Sequence, residues 1–517
     1  MTRPTPNQRL SQTKLWEMQA RAYHLLGIEA WTQRGIPSYL SSNPFIAKRY
    51  AHVAFAYVQE RVARLRIHRS EPLYLFELGA GTGRFTYIFL KYFLHLLQDS
   101  PLNRLRVRYI MTDLSPEVIA GWRAHPYFQR LFESGILDCA KLNLSHLKEM
   151  KLLSSGEEIG PGSVRNPSIV IANYLFGYLP SDLFTVREGQ LHEGLVALDT
   201  QGVTAARKPQ TEDLICKTRF RKLPKGDYYD ITHWNAALTA TAADVLETPF
   251  TVPVGAYRAL DFLREVCTGG YCFLSADRGA VTPQQISELQ GVNVSRNALC
   301  AVAINYRALL KYFLQKGEMA CTTRQPHPTF VVMCATAGGL AEEHVMTRRA
   351  FSQLISDFEP ADYWELVNRF EIKDRKMTLE EIYYILKLGD WDSTIFHSNF
   401  EIIRRHLASA NLNVRALWGE ALDSILDNFF PISALEANLI VNIGVLHFDL
   451  KNWHKALSCF QRAHIIAGDQ AHILHNMGLC YHQLRDERTA RACHVKAAKL
   501  DPRYRPSSKP AKTARRR

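Results

Sequence analysis

Residues 75–85 read LFELGAGTGRF, and the fold of the first half of the chain follows from this stretch. An apolar run, Leu73 to Phe76, leads into Glu77, then Gly79, Gly81 and Gly83, then the amphipathic segment FTYIFLKYFLHLL (85–97). That order is strand, glycine turn, helix. Glycine lets a turn adopt positive φ and lets a ligand approach bare backbone. The first amides of the following helix give that end a polar, slightly positive character.

Working outward, the next strand candidate, VRYIMTD (107–113), ends in Asp113, within MTDLSPEVIAGW. A glycine turn alone is shared with nicotinamide-binding folds. Glu77 stands where such folds carry a small or apolar residue, and Gly83 to Asp113 spans 30 residues, longer than the roughly 20 of a dinucleotide fold. An acid before the glycines suits a ligand bearing cations, and S-adenosylmethionine carries an ammonium and a sulfonium. A methyltransferase is therefore the expectation, with Glu77 ahead of Gly79, Gly81 and Gly83 suiting the cationic ligand and Asp113 placed to hold both ribose hydroxyls. Asp138, in FESGILDCAKLNL, is a candidate for the adenine amine, with a surface or helix-capping acid as the alternative. Asn173 ends the strand SIVIAN and faces the site, because open parallel sheets bind ligands at the carboxyl ends of their strands.

Further strand candidates are YCFLSAD (271–277) and TFVVMCA (329–335); strand signals stop near residue 345 and helices follow. Those helices hold a repeat. Ile443-Gly444 recurs as Met477-Gly478, 34 residues later, and alanines follow each glycine at twelve and nineteen positions: Ala456 and Ala463, Ala490 and Ala497. This period, with small residues where helices cross, is that of tetratricopeptide repeats. Two repeats do not form an array alone, so residues 345–433 are expected to supply degenerate helical pairs. The expected domains are an N-terminal helical or lid segment (1–70), a methyltransferase domain (71–340), a helical linker (341–433), two repeats (434–502) and a basic tail (503–517). The fold class is an α/β Rossmann-like domain, its sheet mainly parallel, followed by an all-α domain.

Composition bounds the partners. At 517 residues, 47% hydrophobic and 22% charged, the chain is an ordinary globular protein of two or three domains. No apolar run reaches the 18 residues of a membrane span. Of the net charge of +13, seven positive charges lie in the last fifteen residues, RYRPSSKPAKTARRR. Without this tail, charge makes little case for nucleic acid. Ten cysteines without a CxxC pair read as reduced thiols in a cytoplasmic protein; the mitochondrial matrix is the second expectation. His192, His233 and His327 have no metal-ligand spacing with Cys or acids, and no metal is expected.

Several motifs in order then resemble the MidA-like methyltransferases, which include the assembly factor of respiratory complex I. They stand as SYLSSNPFIAKRYA (38–51), ELGAGTG (77–83), DLSPEV (113–118), IANYLFGYLP (171–180), SADRGA (275–280) and VAINYRALLKYFLQKG (302–317), covering roughly residues 25–340. The resemblance implies S-adenosylmethionine as cofactor, its methionine part at Glu77, Gly79, Gly81 and Gly83 and its ribose at Asp113, and arginine methylation on a protein, recruited here through the repeats. Guanidinium stays protonated, so that chemistry needs carboxylates to orient its planar fork. At that point the chain departs from the family: Tyr174 and Gly177 replace two acids. Asn173, Tyr174 and Asp277 remain as catalytic candidates, with Asp182 nearby; for Asp277 beside Arg278 an ion pair is the alternative. Tyr174, Phe176 and Tyr178 either hold a planar group or pack the sheet junction. Two other functions stay open: a cofactor-binding scaffold without activity, and a methyltransferase for a small molecule or RNA.

Overall fold

The computed structural model describes residues 7–32, 39–64, 67–68, 70–145, 147–199, 215–224, 226–245, 247–289, 294–295, 301–324, 329–370 and 377–504. The basic tail from residue 505 onward lies outside the described residues. The chain divides into two compact units, Met1–Glu365 and Leu366–Arg517.

The first unit opens with helices α1 (Leu15–Leu26) and α2 (Pro44–Ala63), then β1 (Leu73–Leu78), α3 (Arg84–Gln98), β2 (Val107–Asp113), α4 (Pro116–Ala124), β3 (Leu137–Lys141) and β4 (Ser168–Asn173). After a long insertion come α5 (Val254–Val266), β5 (Tyr271–Ala280), α6 (Tyr306–Leu314), β6 (Ala320–Thr322) and β7 (Thr329–Ala337). The strands lie in the order β3-β2-β1-β4-β5-β7-β6. Strands β1 to β5 run parallel, and β7 pairs antiparallel with both β5 and β6. All six residues of β1 are buried, which suits a central parallel strand covered on both faces. Strand order reverses between β1 and β4, with Glu77 in register with Met111 on one side and Ile171 on the other. The crevice at such a switch point is where open sheets take ligands.

The insertion between β4 and β5 builds a second, antiparallel sheet that the sequence reading did not anticipate. Asp182–Arg187 and Gln190–Asp199 form a hairpin, flanked by Ile215–Lys222 and Phe250–Val252. Gln8–Arg9 adds to its edge. Leu10, Leu15 and Trp16 then share a small core with Leu183, Val196, Leu198 and Val302. The amide of Ser11 donates to Asp182 Oδ1 (3.3 Å) and the hydroxyl of Tyr229 to Oδ2 (3.1 Å). Asp182 therefore anchors the N-terminal segment instead of serving the site, and α1 is fixed across the carboxyl ends of the main sheet.

The first unit runs past the expected boundary at residue 340. The helix Val345–Phe351 docks on α2, where the buried Glu60 accepts from the Thr347 hydroxyl (2.5 Å) and the Met346 amide. In the second unit, helices Leu379–Leu388, Ser393–Leu407 and Leu412–Asp427 precede α7 (Ala437–Asp449), α8 (Trp453–Ala467), α9 (Ala471–Gln483) and α10 (Glu487–Leu500). Helix α7 packs on α8, α8 on α9 and α9 on α10. A Cβ on Gly444 would meet Phe460 at 2.7 Å, and one on Gly478 would meet His494 at 2.7 Å. Ala456, Ala463, Ala490 and Ala497 are all buried, so the 34-residue spacing marks the helix crossings. The eight cysteines with described side chains are free. Among the described residues no helix is long and apolar enough to cross a membrane, and no cluster of His, Cys, Asp and Glu could hold a metal.

Candidate functional site

A cavity lies at the switch point, floored by the glycine turn and the ends of β1, β2, β3 and β4, and roofed by α1. Gly79, Gly81 and Gly83 have φ of 68°, 55° and 79°, a region that costs L-residues strain. Gly83 opens α3, and its amide closes the turn onto the Ala80 carbonyl (3.0 Å). The Trp122 indole donates to the Gly81 carbonyl (2.8 Å) from α4. The turn is thus held before any ligand arrives.

Two carboxylates face this cavity. Glu77 accepts from the Tyr109 hydroxyl (2.7 Å) and from the Thr86 hydroxyl. Burial pushes its carboxyl up to about 7, against the pull of those two hydrogen bonds. Asp113 accepts from the Ser115 amide (2.9 Å), the Gly81 amide (3.3 Å) and, on both oxygens, the Tyr23 hydroxyl (3.0 Å). Burial pushes it up to about 6. The described cavity wall holds no Lys, Arg or His. Two desolvated acids with no cation of their own are relieved either by taking up a proton, as their raised values reflect, or by a cation from a ligand; the second suits a cofactor bearing an ammonium and a sulfonium.

The other predicted residues divide. Asn173 lines the cavity at the end of β4, where it accepts from the Tyr50 hydroxyl (3.2 Å) and donates to the Ser41 carbonyl (3.4 Å). Tyr174 follows with φ 46°, its amide bonded to the Ala276 carbonyl (2.7 Å) and its ring tilted on Phe330. Asp138 does not line the cavity. It sits second in β3, where it accepts from the amides of Cys139, Ser154 and Ser155 and faces Arg108 at 3.6 Å. It ties down the 154–155 turn; Asn143, past the end of β3, is the polar side chain that reaches the wall. Asp277 also lies outside the wall. It accepts from the amides of Gly177 (3.2 Å) and Arg278 (2.7 Å), fixing the loop after β4, and burial pushes it up to about 7. Phe176 stacks on Phe273 in the core, whereas Tyr178 lines the cavity.

Sequence reasoning named a lid segment within residues 1–70 but none of the side chains that roof the cavity. Trp16, Gln19, Ala20 and Tyr23 recur at helical spacing on one face of α1 and all line the cavity, as does Trp31. The mixture of aromatic and amide side chains along that face of WEMQARAYHLL (16–26) was the available signal.

Residues 56–251 match a family model described as "Putative S-adenosyl-L-methionine-dependent methyltransferase", and residues 435–503 match a tetratricopeptide-repeat model. Residues 56–251 are a methyltransferase domain of that family. The chain thus joins a domain of that family to tetratricopeptide repeats over residues 435–503. It is also similar to a non-reducing polyketide synthase, pkdA, of Emericella nidulans, 39% identical over 88 residues; the match covers 17% of this chain and 3% of the synthase. Among solved structures, a "likely methyl transferase" from Burkholderia thailandensis bound to S-adenosylhomocysteine is 13% identical, with TM-score 0.35 over 66% of this chain and 98% of that one. The DhpI complex with S-adenosylhomocysteine is 13% identical, with TM-score 0.26 over 63% and 97%. Overlaps at that level carry no argument of their own.

Proposed function

We propose that this methyltransferase acts on a protein delivered by its repeats, and that Glu77, the glycine turn, Asp113 and Asn143 hold the cofactor. The carrying observation is the pair of buried, cation-free carboxylates flanking the glycine turn. Glu77 would meet the ammonium, Asp113 would exchange the Tyr23 hydroxyl for ribose hydroxyls, and Asn143 would take the adenine edge. Bound S-adenosylmethionine supplies an electrophilic methyl group on sulfur. The chain's part is to exclude water beneath Trp16, Tyr23 and Trp31, and to orient the acceptor beside Asn173 and Tyr174. Asn173 is held by Tyr50, so its amide is pre-oriented rather than free to swing; such positioning is a large part of what enzymes contribute.

Arginine is disfavoured as the modified group. With Asp277 and Asp182 turned to structural tasks, the described wall offers no carboxylate beyond Glu77 and Asp113. Repeat arrays commonly bind segments of other proteins along their helical surfaces, which supports a protein acceptor. The test is transfer of labelled methyl groups from S-adenosylmethionine into cell lysate. The full chain should label a protein, and a chain lacking residues 431–517 should bind S-adenosylhomocysteine yet label little. Label confined to small molecules or RNA, or equal protein labelling by the shortened chain, would refute recruitment.

A further inference from the structure

Gln19 is a polar side chain of the cavity that the cofactor assignment leaves unused. It projects from α1 between Trp16 and Tyr23, lines the cavity, and is only 6% exposed. Both its Oε1 and its Nε2 are buried without a hydrogen-bond partner. A buried carboxamide with neither atom bonded is costly to the fold alone, and native proteins rarely keep one without a use. The main sheet does not need it, since α1 is already anchored through Leu15 and Trp16.

The pattern of hydrogen bonding defines what could satisfy it. A carboxamide offers one acceptor oxygen and two donor hydrogens in a single plane. A complementary ligand presents a donor and an acceptor side by side, also in one plane. A guanidinium offers donors alone, which would leave Nε2 unpaired and bury a cation against a wall with no third carboxylate. A carboxylate offers acceptors alone and would bring a third negative charge near Glu77 and Asp113. An uncharged carboxamide edge satisfies both atoms and adds no charge.

We infer that Gln19 is a specificity-determining contact for the methyl acceptor, and that the acceptor carries an uncharged carboxamide-type edge, as a glutamine or asparagine side chain does. This rests on the cofactor lying at the glycine turn. Trp16, Trp31 and Tyr178 supply apolar surface around such a group, and Asn173 offers a second amide at the end of β4.

The experiment uses benzamide as the neutral probe and benzamidinium as its charged counterpart, each titrated by ligand-observed NMR into the full chain saturated with S-adenosylhomocysteine. Wild type should bind benzamide more tightly than benzamidinium. Gln19→Leu, similar in volume, should weaken benzamide at least tenfold, leave S-adenosylhomocysteine affinity within twofold, and melt no lower than wild type because two unbonded polar atoms are gone. Gln19→Glu should reverse the preference toward benzamidinium. Benzamide binding unchanged in Gln19→Leu, or a wild type that prefers benzamidinium, would overturn the inference. A parallel loss of S-adenosylhomocysteine affinity in Gln19→Leu would also overturn it, by making Gln19 a cofactor contact. Failure of wild type to bind S-adenosylhomocysteine would instead remove the cofactor placement on which the inference stands.

Discussion

Lowering the pH from 8 to 6 should weaken the hold of the protein on S-adenosylhomocysteine at least tenfold, and the cause should be traceable to Glu77. Burial raises this carboxyl from its usual 4.5 to about 7 in the ligand-free protein. Its ionised fraction then falls from about 0.9 at pH 8 to about 0.1 at pH 6, a factor of ten or about 1.4 kcal/mol if the ligand ammonium requires the anion. Asp113, raised to about 6, is about half protonated at pH 6 and adds a further factor of about two. Near pH 7, binding should expel about half a proton from Glu77. Calorimetric titrations at pH 6, 7 and 8, each in two buffers of different ionisation enthalpy, read affinity and proton release together. Glu77→Gln keeps a hydrogen-bonding partner for Tyr109 and Thr86 but should flatten most of the pH dependence and bind weakly throughout. An affinity that changes less than twofold across this range, or a slope that survives in Glu77→Gln, would refute the placement of the cation at Glu77.

The ligand-free protein should show the opposite trend in stability. A carboxyl raised in the folded state contributes stability that is full below its unfolded value and is lost as pH rises, for Glu77 between about 4.5 and about 7. Melting of the ligand-free chain should therefore drop over that window, and Glu77→Gln should recover part of the loss, about 1–3 kcal/mol. Asp113→Asn removes a charged acceptor and should cost S-adenosylhomocysteine binding about 1.5–3 kcal/mol by calorimetry. Asp138→Asn should lower the melting temperature while leaving affinity within twofold, because its partners are backbone amides and Arg108; Asn143→Ala should do the reverse. Gly83→Ala forces a side chain into φ 79° and against Phe128 and Met111, with an expected loss of about 1–3 kcal/mol in denaturant unfolding.

What could be read from the sequence was what short-range pattern encodes. The apolar runs of β1, β2, β4, β5 and β7 announce themselves because strands buried on both faces need unbroken hydrophobic residues. The glycine turn is legible because three positive φ values in five residues leave glycine as the natural choice. The repeat is legible because helix crossings demand small residues at a fixed period, as Gly444 and Ala456 show. Asp113 was found for the same reason: it ends a strand, where the local rule and the ligand position coincide.

The tertiary structure decided which acids are free to act. Asp138, Asp182 and Asp277 look alike in sequence to Asp113, yet each is taken up by backbone amides or a hydroxyl far along the chain, from Ser11, Ser154, Gly177 and Tyr229. Those partners lie up to 171 residues away, and no local periodicity carries that information. The roof of the cavity is decided in the same way. Nothing in the segment around Gln19 says that it will cross the end of the sheet. That follows from Gln8–Arg9 pairing with a strand of the insertion, and from Leu15 and Trp16 sharing its core. Sequence patterning selects elements because burial acts residue by residue. Which polar side chains remain for a ligand depends on which neighbours the folded chain has already supplied.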